Sequence, residues 1–182
     1  MQIGFYFDQT RCIGCDTCVV SCKDCHDMPT GVNWNKVVTI EKGDYPDLFV
    51  AFLFMPCYHC AEPACLAACP VDAIVKRQED GIVIVDKEKC LGYDSCGACL
   101  EACPYKVPAF RDNGNAKMEK CDFCIDRLAA NKKPTCVEAC PTRALDTGNI
   151  EELRNKYKGS DKASGFVHSA ETKPCIVFKP KQ

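Results

Sequence analysis

The sequence predicts an α+β fold of two units, one nested inside the other, that close around sites built from cysteine. Three observations lead to this prediction. The chain has 18 cysteines in 182 residues, about one in ten. Sixteen of these cysteines fall into four runs, and each run ends in C-x3-C. The apolar segments between the runs are short and scattered, so an ordinary hydrophobic core cannot account for the cysteines.

The spacing inside each run is characteristic of iron-sulfur proteins. The runs are Cys12, Cys15, Cys18 and Cys22; Cys57, Cys60, Cys65 and Cys69; Cys90, Cys96, Cys99 and Cys103; and Cys121, Cys124, Cys136 and Cys140. A proline follows the last cysteine of the second, third and fourth runs. Bacterial ferredoxins hold cubane clusters with runs of this kind. We therefore predict four [4Fe-4S] clusters, with iron as the only metal.

The last cysteine of each run is expected to bind a different cluster from the first three. It lies one helical turn beyond the third cysteine and points away from the cube that the first three hold. In two-cluster ferredoxins this cysteine ligates the other cluster. The predicted ligand sets are Cys12, Cys15, Cys18 and Cys140 (cluster 1); Cys57, Cys60, Cys65 and Cys103 (cluster 2); Cys90, Cys96, Cys99 and Cys69 (cluster 3); and Cys121, Cys124, Cys136 and Cys22 (cluster 4).

This exchange of cysteines divides the chain into an outer and an inserted unit. The second and third runs form a compact ferredoxin-like unit over residues 57–104. The first and fourth runs must then pair with each other, which gives an outer ferredoxin-like unit from 1–56 and 105–157. Residues 158–182 are predicted to wrap over the surface as a C-terminal segment. Without metal we expect little stable fold.

Zinc and disulfides are the alternative uses of so many thiols. A structural zinc site needs two cysteine pairs, so zinc would leave thiols unused beside each C-x3-C. Disulfide-dense domains are typically short secreted chains with a leader peptide, and none is visible in the opening MQIGFYFDQTRC. Cys25 and Cys175 lie outside the pattern and are interpreted as small apolar residues, with Cys25 as an alternative to Cys22 as a ligand.

The segments around the runs predict short strands and helices. Periodicity and turn residues favour strands at 3–7, 36–42, 48–54, 81–86 and 175–178, the second and third of them forming a hairpin. A helix is predicted from 124 to just before Pro134. A second helix is predicted within 149–159, with Asn149 as its N-cap and Gly159 as its end.

Side chains around the cysteines have both functional and structural interpretations. His59, inside CYHC, either donates a hydrogen bond to a cluster sulfur or is a packed imidazole. His26 and His168 are not predicted to be ligands. The aromatic residues next to cysteines are expected to exclude water, and the lysines of the last third to be solvated or to face a partner: Tyr58, Tyr105 and Phe123, and Lys117, Lys120, Lys132 and Lys133.

Composition excludes several other functions. The formal net charge is -2, and no basic stripe with interleaved aromatic residues marks a nucleic-acid surface. The longest apolar run, LFVAFLFM at 48–55, is far shorter than the roughly 20 residues of a membrane-spanning helix. With no export signal of its own, the chain is expected in the cytoplasm or to be exported together with a catalytic partner. The sequence indicates no general base, nucleophile or substrate pocket.

The chain resembles the four-cluster iron-sulfur (beta) subunit of the dimethyl sulfoxide reductase family of molybdenum and tungsten oxidoreductases. The resemblance covers nearly the whole chain. It is carried by RCIGCDTCVVSCKD, CYHCAEPAC, KRQEDGIVIVD, CPYKVPAF, KCDFCIDRLAANKKPTCVEACPTRALD, IEELRNKY and KPCIVFKP. One departure is the third run, in which Tyr93, Asp94 and Ser95 lengthen the loop between Cys90 and Cys96. This loop makes Cys90 the least secure of the predicted ligands.

The resemblance implies an electron relay that does not turn over substrate alone. Such a subunit binds a large catalytic partner with a molybdenum or tungsten pterin centre. It passes electrons between that centre and a quinone-reactive membrane subunit or a soluble carrier, and cluster 1 faces the catalytic partner. The alternatives are a free polyferredoxin carrier and the small subunit of a tungsten aldehyde-oxidising or dearomatising enzyme.

Overall fold

Short strands and helices alternate along the computed structural model, which describes residues 1–111 and 114–182. The elements of the described ranges are β1 (Ile3–Asp8), α1 (Thr17–Cys25), β2 (Asn35–Lys42), β3 (Phe49–Pro56), α2 (Ala64–Ala67), β4 (Ile74–Lys76), β5 (Val83–Val85), α3 (Ala98–Ala102), α4 (Ile125–Ala129), α5 (Thr135–Glu138), β6 (Leu145–Asn149), α6 (Ile150–Tyr157) and β7 (Ile176–Lys179). This mixture of short helices and mainly antiparallel strands confirms the predicted α+β character.

The strands form one three-stranded sheet and two hairpins. In the sheet, β1 lies between β6, to which it is antiparallel, and β7, to which it is parallel. The hairpins are β2 with β3 and β4 with β5. Strands from the beginning and the end of the chain therefore share one sheet, while the hairpins lie between them in sequence.

The first hairpin follows from its composition and its turn. Both strands are rich in β-branched or aromatic residues, which suit a pleated and half-buried surface. Gly43 begins the turn with φ of +76°, and a Cβ atom there would lie 2.6 Å from the backbone oxygen of Asp47. Only glycine fits this position without strain.

Helices that carry cysteines pack in pairs. α1, from the first run, packs against α5, from the fourth run, and α2 packs against α3. The C-terminal segment contacts both regions. Its β7 strand lies on β1, and the backbone N–H of Cys175 donates to the oxygen of Tyr58 over 3.1 Å. The N–H of Ala61 in turn donates to the oxygen of Lys173 over 2.9 Å.

Aromatic rings form the core between β1, β3 and the fourth run. Phe5 stacks on Phe123 with ring centroids 4.4 Å apart, and its edge meets Phe54 at 5.9 Å. All three side chains are completely buried. Buried cysteines belong to this same core, among them Cys22, Cys57 and Cys103. The cysteine groups are thus part of the interior and not appended to its surface.

Most predicted strands are confirmed, with differences in length. The predicted hairpin and the strands at 3–7 and 175–178 correspond to β2, β3, β1 and β7. The strand predicted at 81–86 shortens to three residues, and its partner β4 was not predicted because three residues show no measurable periodicity. The helix predicted from 124 ends at Ala129, since Asn131 takes a left-handed conformation with φ of +56°. α6 ends at Tyr157, before the predicted Gly159, because Lys158 is left-handed.

The length and hydropathy of a helix decide whether it can cross a membrane. In the part of the chain that the structure describes, no helix is long and apolar enough to cross a bilayer.

The N-cap of α6 gives the first testable prediction. The Asn149 side chain accepts hydrogen bonds from the backbone N–H groups of Glu151 (2.9 Å) and Glu152 (3.3 Å). Replacing Asn149 with Ala leaves both donors without this acceptor, which typically costs about 1 kcal/mol. We expect Asn149→Ala to lower the thermal midpoint of the cluster-loaded chain by about 2–4 °C, measured by circular dichroism. Asn149→Asp, which keeps a capping oxygen, should leave the midpoint unchanged, and equal midpoints for both variants would contradict this role.

Candidate metal centres

Three cavities inside the protein are each lined by four cysteines. In every cavity, three cysteines come from one run and the fourth comes from another. The sets are Cys12, Cys15, Cys18 and Cys140; Cys90, Cys96, Cys99 and Cys69; and Cys57, Cys60, Cys65 and Cys103.

The remaining four cysteines of the four runs form a more tightly buried group. Their exposed fractions are 5% for Cys22, 8% for Cys121, 6% for Cys124 and 4% for Cys136. Burial raises the pKa of the Cys136 thiol well above its usual value, and the negative charges of Cys124 and Cys22 add to this effect. The group therefore again combines three cysteines of one run with one cysteine from another.

The C-x3-C spacing explains why the groups are mixed. Cys18 and Cys22 both lie on α1, one turn apart. Cys18 lines the cavity of the first run, whereas Cys22 lies beside the cysteines of the fourth run. The structure thus brings together the residues of each predicted set. That they bind iron in these sets stays a prediction.

A glycine allows the first cysteine loop to turn closely around its cavity. Gly14 has φ of +68°, and a Cβ atom at this position would lie 2.3 Å from the ring of Phe52. Both the conformation and the close approach exclude other residues. The loop from Cys12 to Cys15 can therefore wrap against β3.

The final cysteines of the second and fourth runs each accept a hydrogen bond from a backbone N–H group at the equivalent position. The N–H of Ala73 donates to Cys69 Sγ, and that of Ala144 to Cys140 Sγ, each over 3.3 Å. In both cases the donor lies four residues after the acceptor, so the two runs have the same local geometry. Hydrogen bonds to ligand sulfurs are one means by which a protein sets cluster potentials.

The electrostatics of the thiols fit a cationic metal core. Burial, reinforced by neighbouring thiolates, raises the pKa of four cysteines to about 12: Cys18, Cys22, Cys60 and Cys65. Such thiols keep their protons at neutral pH unless a cation replaces them. A metal core would supply that cation, and its binding would release the protons.

The distances between donor atoms distinguish a cluster from a single zinc ion. Zinc holds four sulfurs at about 2.3 Å from one centre, which leaves no cavity between them. Among the described residues, only His26, Asp122 and Cys124 form a set of three donor atoms within 4.8 Å of one another. In none of the four groups do three thiols lie this close together, as expected where each sulfur binds a different iron.

Comparisons with known proteins point to the same chemistry. A family model described as a 4Fe-4S dicluster domain matches residues 48–150. The B subunit of the anaerobic dimethyl sulfoxide reductase of Escherichia coli (strain K12) is 42% identical over 187 aligned positions, covering 98% of this chain and 89% of the relative. The chain belongs to this family of iron-sulfur subunits. The predicted resemblance is thereby confirmed.

Two other relatives are similar to this chain over most of its length. The B subunit of the anaerobic dimethyl sulfoxide reductase of Haemophilus influenzae is 40% identical, and the alignment covers 100% of this chain and 90% of the relative. The formate dehydrogenase iron-sulfur subunit of Wolinella succinogenes is 38% identical, with 84% of each protein covered. Membership in this family makes iron-sulfur clusters the cofactor class of the cysteine groups.

The lengthened loop of the third run closes back on its cavity. The N–H of Tyr93 donates to the oxygen of Ala116 over 2.9 Å, and the Tyr93 ring lies 4.8 Å from that of Phe110. Cys90 and Cys96 consequently line the same cavity despite the insert. This iron-sulfur subunit therefore accommodates the extra residues outside the cavity.

His59 is buried against β5 and has one unused hydrogen-bonding atom. It is completely buried, and its Nδ1 accepts a hydrogen bond from the N–H of Val83 over 3.0 Å. Burial, together with the charges of Lys120 and Lys76, lowers the pKa of His59 well below its usual value. The neutral ring must then carry its proton on Nε2, which has no partner among the described residues. The imidazole is thus packed and also keeps a donor free.

The sequence did not predict that His26 lies beside the fourth run of cysteines. Its Nε2 lies 3.5 Å from Cys124 Sγ and 3.8 Å from the carboxylate of Asp122, while its ring packs on Trp34 at 4.3 Å. His26 and Cys124 are 98 residues apart, so no local pattern relates them. His168, by contrast, is exposed.

The interpretation of Lys120 as a solvated lysine is wrong. This side chain is 4% exposed, and it lines the cavity of Cys57, Cys60, Cys65 and Cys103. Lys120 follows Glu119, which pairs with Ala109, and no local pattern indicates that pairing. Lys117, Lys132 and Lys133 are exposed as expected.

Cys22 and Cys25 provide a matched test on one helix. Cys22 is buried with the fourth run, whereas Cys25, three residues later, is exposed. We expect Cys22→Ser to leave Cys121, Cys124 and Cys136 open to alkylation under native anaerobic conditions, because their cluster loses a ligand. The thiols of the first run should stay protected, and Cys25→Ser should change none of these thiols.

Mass spectrometry of the alkylated peptides measures this pattern. Alkylation of the first run in Cys22→Ser would contradict the exchange of cysteines between runs. Loss of protection in Cys25→Ser would identify Cys25 as the ligand in place of Cys22.

Proposed function

We propose that this chain is an electron-transfer subunit that carries four [4Fe-4S] clusters and has no substrate turnover of its own. The four mixed groups of four cysteines are the observation that supports this proposal. The clusters would be held by Cys12, Cys15, Cys18 and Cys140; by Cys57, Cys60, Cys65 and Cys103; by Cys90, Cys96, Cys99 and Cys69; and by Cys121, Cys124, Cys136 and Cys22.

The packing of the helices supports two nested ferredoxin-like units. α1 packs against α5 and so couples the first and fourth runs, while α2 packs against α3 within the inserted region. Residues 57–104 would then form the inserted unit, and 1–56 with 105–157 the outer unit. The contacts of Lys173 and Cys175 with the second run suit a segment at 158–182 that holds the two units together.

The four clusters would follow one another in a row. Burial raises the pKa of Cys136, Cys121 and Cys65, and the charges of nearby thiolates of other groups add to this rise. Cys136 has Cys18 of the first cavity as a neighbour, and Cys121 has Cys57 of the inserted region. Cys65 in turn has Cys99 as a neighbour. The order along the row would therefore be cluster 1, cluster 4, cluster 2 and cluster 3.

Cubane clusters supply one-electron transfer when bound. The residues of this chain hold them in line, donate hydrogen bonds to their sulfur ligands and exclude water. Tyr58, Tyr105 and Phe123, which adjoin the cysteines, have at most 7% of their surface exposed. A row of closely spaced groups inside an apolar interior suits a relay between two partners.

The surface beside cluster 1 suits a catalytic partner. Cys15 is itself exposed, and the apolar side chains of Ile13 and Val20 nearby are 61% and 63% exposed. The named relatives are subunits of dimethyl sulfoxide reductase and formate dehydrogenase. By analogy, the catalytic partner would carry a molybdenum or tungsten pterin centre, and the far end of the row would serve a quinone-reactive membrane subunit or a soluble carrier.

The proposal predicts the metal content of the chain. Four complete ligand sets should bind about 16 iron and about 16 acid-labile sulfide per chain, four of each per cubane, with negligible zinc. Anaerobic purification followed by iron, sulfide and zinc analysis measures these amounts. An iron content near half of this value would contradict the four-cluster assignment.

The relay role predicts that loss of cluster 1 separates chemistry from electron supply. In the complex, Cys15→Ser should abolish most turnover with the physiological electron carrier. Turnover with an artificial dye that reaches the catalytic subunit directly should persist, because the pterin centre stays intact. Cys25→Ser, which changes an exposed thiol outside the four groups, is the control and should keep both activities.

Two outcomes would overturn the relay role. One is full physiological turnover in Cys15→Ser with cluster 1 shown to be lost. The other is substrate conversion by the purified chain without its partner.

A further inference from the structure

Lys120 is a buried cation without an anionic side-chain partner among the described residues. Its Nζ donates to the backbone oxygens of Val83 and Cys121, the latter over 3.0 Å. The neighbouring Glu119 carboxylate does not pair with the Lys120 ammonium. It forms ion pairs with Lys87 at 2.7 Å and with Arg111 at 2.9 Å. No carboxylate of the described residues lies within 4.0 Å of the Lys120 ammonium.

A buried ammonium needs a compensating negative charge. Removing an ion from water costs several kcal/mol, and two carbonyl dipoles offset this only in part. On the side of the cysteine cavity, further basic groups lie near the Lys120 ammonium. Lys76 Nζ donates to the oxygens of Cys60 (3.0 Å) and Ala61 (2.7 Å), and the buried ring of His59 is near both lysines.

Glu119 and Asp122 line a second pocket together with Lys120. On the side of the cysteine cavity, the negative charge nearby belongs to two cysteine groups. Lys120 lines the cavity of Cys57, Cys60, Cys65 and Cys103, and it directly precedes Cys121 of the next group along the row. Lys120 therefore lies at the junction between the outer and the inserted units.

We propose that Lys120 is the shared counter-charge of clusters 2 and 4 and raises the reduction potentials of both. This inference rests on the proposed function, since it assumes clusters in these two groups. A cubane held by four thiolates gains one negative charge when it accepts an electron, and a fixed cation nearby stabilises that reduced form. Lys120 therefore affects the transfer of an electron between cluster 2 of the inserted unit and cluster 4 of the outer unit.

Lys117 supplies a matched control three residues away. Its Nζ also donates to the backbone oxygen of a cysteine, Cys90, over 2.7 Å, but the side chain is exposed. Solvent and salt screen an exposed charge far more than a buried one. The two lysines thus share residue type and hydrogen-bond type and differ in burial.

The experiment is an anaerobic redox titration of the cluster-loaded full chain, followed by electron paramagnetic resonance, for the wild type and three variants. Iron content is measured first, and a wild-type value well below about 16 per chain would count against the proposed function rather than against the role of Lys120. Clusters 2 and 4 are assigned with the variants Cys60→Ser and Cys22→Ser.

Lys120→Met should shift clusters 2 and 4 to more negative potentials and leave clusters 1 and 3 nearly unchanged. We expect at least about a tenfold change in the reduction equilibrium, or about 59 mV for one electron. Lys120→Arg, which keeps the charge, should stay close to the wild type, and Lys117→Met should shift no cluster by a comparable amount.

Three results would overturn the proposal. Unchanged potentials in Lys120→Met would show that the charge has no influence on the clusters. An equal shift of all four clusters, or an equal shift in Lys120→Arg, would indicate a general structural effect.

Cluster loss in Lys120→Met is also decisive. Lys120→Gln, which keeps a hydrogen-bond donor but no charge, is then compared with Lys120→Arg. Retention of iron in Lys120→Arg but not in Lys120→Gln supports the counter-charge role. Loss of iron in both, or retention in Lys120→Gln with wild-type potentials, overturns it.

Discussion

A cysteine four residues after another lies one helical turn away and faces a different cavity. Cys18 and Cys22 show this on α1, where one thiol lines the first cavity and the other is buried beside Cys136. Each group is completed only when two distant runs meet, so the groups cannot form independently. The pairing of α1 with α5 and of α2 with α3 follows from this constraint, as does the position of the sheet that joins the two ends of the chain.

Burial of these thiols makes the fold dependent on what they bind. Cys121 and Cys136 are both buried, and burial raises the pKa of both thiols. Protonated thiols facing one another around a cavity contribute little packing, whereas metal-bound thiolates would fill it. Stability and cofactor assembly are therefore two aspects of one equilibrium in such a protein.

Regular spacing made the cysteine runs and the main strands predictable from sequence. The first hairpin and the Asn149 cap could be predicted because local residues determine them. The burial of Lys120 and the approach of His26 to Cys124 could not, since both depend on segments far apart in the chain. The three-residue strand β4 also escaped prediction, because its pairing and not its sequence defines it.

The sheet has a consequence for synthesis on the ribosome. β1 is made before any of the four runs, whereas its two neighbours, β6 and β7, follow all of them in the chain. During synthesis, β1 therefore lacks both of its partner strands until every cysteine of the four runs has been made. The sheet can therefore close only when all sixteen cysteines of the runs are present in the chain, and the pairing of β7 with β1 completes it.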